Sequence, residues 1–99
     1  MPSPSALRWR SVRPDAIALR EWDGDFVVRN ERSGSTHLLG PLAGRVLQIL
    51  LEAHGPLDVA GIAAEIAGSS EAAASEQHAL IEVVLAEFKR LGLAEPELR

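Results

Sequence analysis

A chain of 99 residues, 46% of them apolar, can bury one hydrophobic core and not two. The lack of cysteine rules out disulfides, thiolate metal centres and cysteine nucleophiles, and fits a reducing compartment. Net charge is −4 but uneven: residues 1–40 carry six arginines against five acids, and residues 41–99 carry four bases against nine, the wrong sign for holding phosphates.

Residues 1–6 are rich in proline and serine, the composition of a frayed end. The opening MPSPSALRWRSV has no apolar signal core, and no apolar run approaches the roughly eighteen residues of a membrane span. A soluble, cytoplasmic chain with no membrane partner is expected. Residues 7–12 (LRWRSV) alternate apolar and basic side chains, as a short edge strand or an extended arm does, before Arg13-Pro14-Asp15 breaks the pattern. Residues 16–22 and 25–31 flank Asp23-Gly24, a dipeptide suited to a type I′ hairpin because both central positions need positive φ. That loop length sets Leu19 opposite Val28 and Glu21 opposite Phe26. Ile17, Leu19, Phe26 and Val28 then share the face turned to the core. Ser33-Gly34 marks a second turn, so residues 16–39 read as a three-stranded antiparallel meander ending in Ser35–Leu39.

Gly40-Pro41 is a strand-to-helix hinge, since proline lacks an N–H and suits the first helical position. A first helix is predicted from Pro41 to about Ala53, with Leu42, Val46, Ile49, Leu50 and Ala53 at helical spacing and Leu47 and Leu51 widening the stripe. Gly44 within it costs about 1 kcal/mol relative to alanine, which implies a close neighbour. Gly55 is the expected C′ residue. Asp58 is the expected N-cap of a short helix through Ala67, with Val59, Ile62, Ala63 and Ile66 inward and Gly68 as its stop. A third helix follows an alanine- and glutamate-rich stretch, with the stripe Leu80, Ile81, Val84, Leu85, Phe88 and Leu91 and with Lys89 and Arg90 in the last turn before Gly92. Leu93-Ala94-Glu95 adds a few extended residues. The whole reads as one domain over residues 1–99: an arm or extra strand at 1–11, a sheet at 16–39 and three helices at 41–91.

Catalytic signatures are missing from the sequence. It has no GxxxxGK[ST] phosphate loop, no GxSxG elbow, no HExxH and no HxE…PCxxC pattern. His37, His54 and His78 lack the spacing that gathers metal ligands. His78 and Glu82, four apart on a helix, are half of a metal site or a solvated pair, and His37 is a surface or half-buried strand residue rather than a catalyst. No enzymatic activity, no metal and no cofactor are expected.

Two binding readings remain. Helix, short helix, turn and long helix followed by LGLAE is how many winged-helix domains end, which makes a nucleic-acid-binding regulator the alternative. The would-be recognition helix, however, sets Glu71, Glu76, Glu82 and Glu87 against Lys89 and Arg90, where phosphates need a basic stripe. The other reading uses the sheet edge. Strand Ser35–Leu39 has one neighbour in a meander and contains neither lysine nor proline, so an extended peptide can pair with it while the third helix walls the groove. Closure of that edge by residues 7–12, or by a second copy of the chain as a homodimer, would leave the groove without a guest.

The run WDGDFVVRNERSGSTHLLGPLAGRVLQILLEAHGPLDVAGIAAEI, followed by a long helix and LGLAE, resembles PqqD, the small peptide chaperone, and the wider class of precursor-peptide recognition domains. The resemblance covers about residues 12–95, and SGSTHLLGPLAGRVL looks most like the PqqD-like proteins associated with HPr-kinase-related proteins. It implies an α+β, winged-helix-like fold of three strands and three helices. The implied function is binding the leader of a ribosomally made precursor as an added strand and presenting it to a modifying enzyme, here an HPr-kinase-related protein. Carried onto this chain, the implied site is Ser35, Thr36, His37, Leu38 and Leu39 along the edge, with Leu80, Val83, Val84 and Glu87 on the helix wall. Glu87 would answer a basic leader residue. The N-terminal LRWRSV departs from the shortest members of the family, as an extra strand or as a cover for the edge.

Overall fold

Asp23 and Gly24 take φ of 51° and 84°, the pair of left-handed conformations that a two-residue type I′ turn demands. The structure, a computed structural model, describes residues 7–12, 14–67 and 71–97; the expected frayed end at 1–6 and the stop at Gly68 lie outside them. Four strands come first, β1 Arg8–Ser11, β2 Ile17–Trp22, β3 Asp25–Asn30 and β4 Ser35–Leu39, with a 3-10 turn at Pro14–Ala16 between the first two. Then follow α1 Pro41–Glu52, β5 Leu57–Asp58, α2 Val59–Ala67, α3 Glu71–Leu91 and β6 Ala94–Glu97. The fold is α+β, and its antiparallel meander has the order β2-β3-β4.

The turn sets the register that the sequence implies. Leu19 lies opposite Val28 and Glu21 opposite Phe26, and β4 continues the sheet with Val28 opposite His37 and Phe26 opposite Leu39. Phe26, Val28 and Leu39 are buried, and Ile17 and Leu19 pack against the same core. The second turn is held locally: Gly34, at φ 76°, donates its N–H to the Asn30 carbonyl at 2.7 Å, and the Asn30 side chain accepts from the Arg32 N–H at 3.0 Å.

The described N-terminal strand, Arg8–Ser11, is not an edge strand of the meander. It is the central strand of a second sheet, β5-β1-β6, where Trp9 lies opposite Leu57 on one side and Pro96 on the other. Alternation correctly turns Trp9 and Ser11 inward and Arg8 and Arg10 outward. It shows which face is buried but not which strands lie alongside. Pro96 sits on an edge strand, where its missing N–H is tolerated.

Gly44 is the contact that seats α1 on the meander. A Cβ built there would stand 2.7 Å from Phe26 Cβ and closer still to its ring, so only glycine allows this approach. Val46, Leu47, Ile49 and Leu50 are buried beyond it. The helix ends at Glu52 with an extended Ala53 cap, and Gly55 does not take the positive φ expected of a C′ glycine; Pro56 follows it and presses it away from helical backbone. Asp58 does cap α2, accepting the Gly61 N–H at 2.8 Å. Asp58→Ala is therefore expected to lower stability by about 1 kcal/mol, measured as a shift in the urea midpoint with an unchanged slope.

Ile81, Leu85 and Phe88 of α3 are fully buried, but Leu80 is 54% exposed and does not belong to the core stripe assigned to it. It is rotated about 100° around the helix from Ile81. The helix closes as a Schellman motif: Gly92, at φ 77°, donates to the Lys89 carbonyl at 3.2 Å and Leu93 to that of Phe88 at 2.8 Å, with Leu93 buried. Among the described residues, no helix is long and apolar enough to cross a membrane.

Candidate functional site

β4 pairs with β3 on one side and, among the described residues, with no strand on the other. Hairpin geometry says which of its groups are free. The pair closing a two-residue loop, here Trp22 and Asp25, exchanges both of its backbone bonds, and the bonded pairs then alternate through Arg20–Val27 and Ala18–Arg29. The Glu31 N–H, which donates to the Ala16 carbonyl at 2.7 Å, continues the same set. Asp25, Val27 and Arg29 therefore bond to β2, while Phe26, Val28 and Asn30 turn their backbone groups to β4. Their partners Leu39, His37 and Ser35 point back at them. Thr36 and Leu38 are left with N–H and C=O directed away from the sheet, two donors and two acceptors on an open flank.

Side chains along β4 alternate in step. Thr36 and Leu38 are exposed on the outer face, Ser35 and His37 are half-buried on the inner face, and Leu39 is buried in the core. Of the five edge residues, then, two present their backbone outward, and His37 lies between them with its side chain toward the helices.

On α3, Leu80, Val83, Val84 and Glu87 fall at i, i+3, i+4 and i+7, one stripe beside the buried one. Leu80 and Val83 are exposed at 54% and 67%, and Val84 is half-buried against the core. The Arg90 guanidinium bonds to Glu87 and holds its carboxyl below the ordinary carboxylate range; slight desolvation opposes this, and the charges of Arg90 and His37 lower it further. The sign of the shift means the Glu87–Arg90 contact is present above the ordinary glutamate pKa and is lost as pH falls through the lowered value.

The histidine pair seen in the sequence is modest. His78 Nε2 and Glu82 Oε1 are 3.7 Å apart and partly exposed, and among the described residues no group of three His, Asp or Glu side chains could hold a metal. Glu82 and Glu87 stand exposed on α3, with Arg90 engaged by Glu87, so the winged-helix shape does not carry a basic stripe. The residue that sequence reasoning passed over is Trp22, 76% exposed; Leu38, already placed on the edge, is 75% exposed, and the hairpin register sets both on the outer face of the sheet.

No protein-family model and no curated protein matches the chain. Two solved structures do. One is a lasso peptide synthetase B1 complexed with the leader peptide, 24% identical over 89% of this chain and 98% of the other, with a TM-score of 0.63. The other is TbiB1 in complex with the TbiA(beta) leader peptide, 16% identical over 86% of this chain and 95% of the other, with a TM-score of 0.64. At such identities the likeness is one of fold: this chain has the architecture of two proteins that were solved holding leader peptides.

Proposed function

We propose that this chain is a non-catalytic peptide chaperone of the PqqD-like kind, binding the leader of a ribosomally synthesised precursor by strand addition to β4 beside α3. The observation that carries this reading is the open edge itself, with the backbone groups of Thr36 and Leu38 turned outward; the exposed apolar residues Leu80 and Val83 of α3, with Val84, are the wall this reading assigns to the guest. An enzyme that modifies the precursor is the second partner, and an HPr-kinase-related protein is the candidate from the resemblance. Both solved neighbours contain leader peptides, which supports the class of ligand.

Magnitudes fit a carrier that must also release. Four ladder bonds at about 1 kcal/mol net each and two buried apolar side chains at roughly 2 kcal/mol each give about 8 kcal/mol. Ordering the peptide takes back roughly 2–5 kcal/mol, leaving about 3–6 kcal/mol, affinities from several millimolar to tens of micromolar.

The test is an NMR titration with the leader of a short precursor peptide encoded beside this chain's gene. Shifts concentrated on residues 35–39 and 80–87 are expected; shifts elsewhere, or a salt-dependent affinity for duplex DNA with none for the peptide, contradict the proposal. Val83→Asp removes an exposed apolar contact without touching the core, and is expected to weaken binding by roughly tenfold, the equivalent of about 1.4 kcal/mol. Its thermal midpoint should stay unchanged.

A further inference from the structure

The outer face of the meander has no covering element among the described residues, and it is not a plain solvated surface. Its rows run Ala18, Arg29, Thr36 and Arg20, Val27, Leu38 across the three strands. The small side chains of Ala18 and Thr36 flank Arg29, and a concavity of about 400 Å³ opens there, lined by Ala18, Arg20, Val27, Arg29, Glu31 and Thr36. Next to it Leu38 stands 75% exposed on an edge strand. Exposed apolar groups on an unprotected edge invite a neighbour.

A guest strand on β4 extends these rows by one place. Residues paired across a ladder project to the same side, so the guest residues opposite Thr36 and Leu38 must stand on this outer face, while those between them face α3. We propose that the outer face reads the guest as well: the peptide carries an acidic side chain in the row of Thr36, held by Arg29 reaching across the short threonine, and an apolar one in the row of Leu38. This rests on strand addition to β4 and specifies the ligand that fits there.

Geometry and charge agree on that occupant. Neighbouring strands lie about 4.8 Å apart, so the guest strand runs about 9.6 Å from β3; an extended arginine covers most of that distance and an acidic side chain leaning back covers the rest, when the intervening side chain is as short as threonine. Arg29 is paired now with Glu31 at 3.6 Å, both more than half exposed, a contact of the kind that holds weakly in water. Arg20 is the second cation in the concavity and Glu31 its only acid, so an incoming carboxylate meets a surplus of positive charge. Beside Leu38 the row holds half-buried Val27, and an apolar guest residue extends that contact.

A displayed library of short random peptides, selected in parallel on the intact protein and on Arg29→Glu, tests this. Peptides from the intact protein are expected to alternate, with apolar residues at one parity and Asp or Glu at one position of the other parity. On R29E that acidic position should turn to Lys or Arg, with at least about tenfold loss of affinity for the original peptides and the apolar parity unchanged. Equal binding of the same peptides by both proteins overturns the outer-face reading while leaving strand addition intact. Peptides that bind without protecting the Thr36 and Leu38 amides overturn both. Arg29 is exposed, and Arg29→Gln, expected to lose the acidic preference without gaining a basic one, keeps the test informative if charge reversal disturbs the sheet.

Discussion

Gly44→Ala is expected to destabilise the protein, although alanine is the better helix former. The added Cβ would collide with the ring and Cβ of Phe26, and overpacking of this kind costs about 1–3 kcal/mol or more, against about 1 kcal/mol regained in helix propensity. An overlap this deep lies at the top of that range, so the net loss should be about 2 kcal/mol for alanine and beyond 3 kcal/mol for valine, whose branches meet the same ring. For a chain of this size each kcal/mol moves the thermal midpoint by about 4–8 °C. Gly55→Ala is the control: nothing lies within 4 Å of a Cβ there, and a change within about 0.5 kcal/mol is expected. Calorimetry on the three variants checks the order. Equal midpoints for the wild type and Gly44→Ala would mean that α1 is not seated on Phe26. The contact bears on the proposed function because α1 packs on the meander at β3 and leaves the far flank of β4 unpaired among the described residues.

Proline along β4 should separate folding from binding. The N–H groups of Thr36 and Leu38 point away from β3, so proline at either position breaks no internal ladder bond and sits where an edge strand tolerates it. Each substitution removes one donor from the guest and leaves a guest carbonyl unpaired, at about 1–3 kcal/mol apiece. Thr36→Pro with Leu38→Pro is expected to weaken binding by about a hundredfold or more, with the helical circular dichroism retained. His37→Pro should do the reverse, removing an N–H that bonds to Val28 and lowering stability by about 1–3 kcal/mol. Equal tolerance of proline at all positions from 35 to 39, in melts and titrations alike, contradicts the parity.

Which parts of this were legible before the structure depends on how local their cause is. Asp23-Gly24 fixes its own turn and the pairing of β2 with β3; Gly44 betrays a close neighbour because a mid-helix glycine is otherwise unfavourable; Asp58 and Gly92 cap helices through bonds to residues a few positions away. The second sheet is different. β5 is two residues long and β6 contains a proline, so neither has a periodic signal, and the alternation in Arg8–Ser11 records a buried face without naming its partners. Leu80 illustrates the same limit on a helix: spacing gathers apolar residues into adjoining stripes, and the packing of α1, α2 and β6 decides which stripe is covered. For the site, chain order alone made β4 the last strand of the meander, and the two-residue loop already carried the parity of its outward groups. What the sequence lacked was the pairing of Arg8–Ser11, and the structure pairs that strand with β5 and β6 rather than with β4.

Amide hydrogen exchange at single-residue resolution, on the free protein and on the protein saturated with leader peptide, probes the open edge most directly. In the free protein Thr36 and Leu38 should exchange quickly beside slow His37 and Leu39, and bound peptide should slow the first two by at least about tenfold. Protection of Thr36 and Leu38 before any peptide is added, or fast exchange that persists with peptide bound, would mean that β4 is not where the guest pairs.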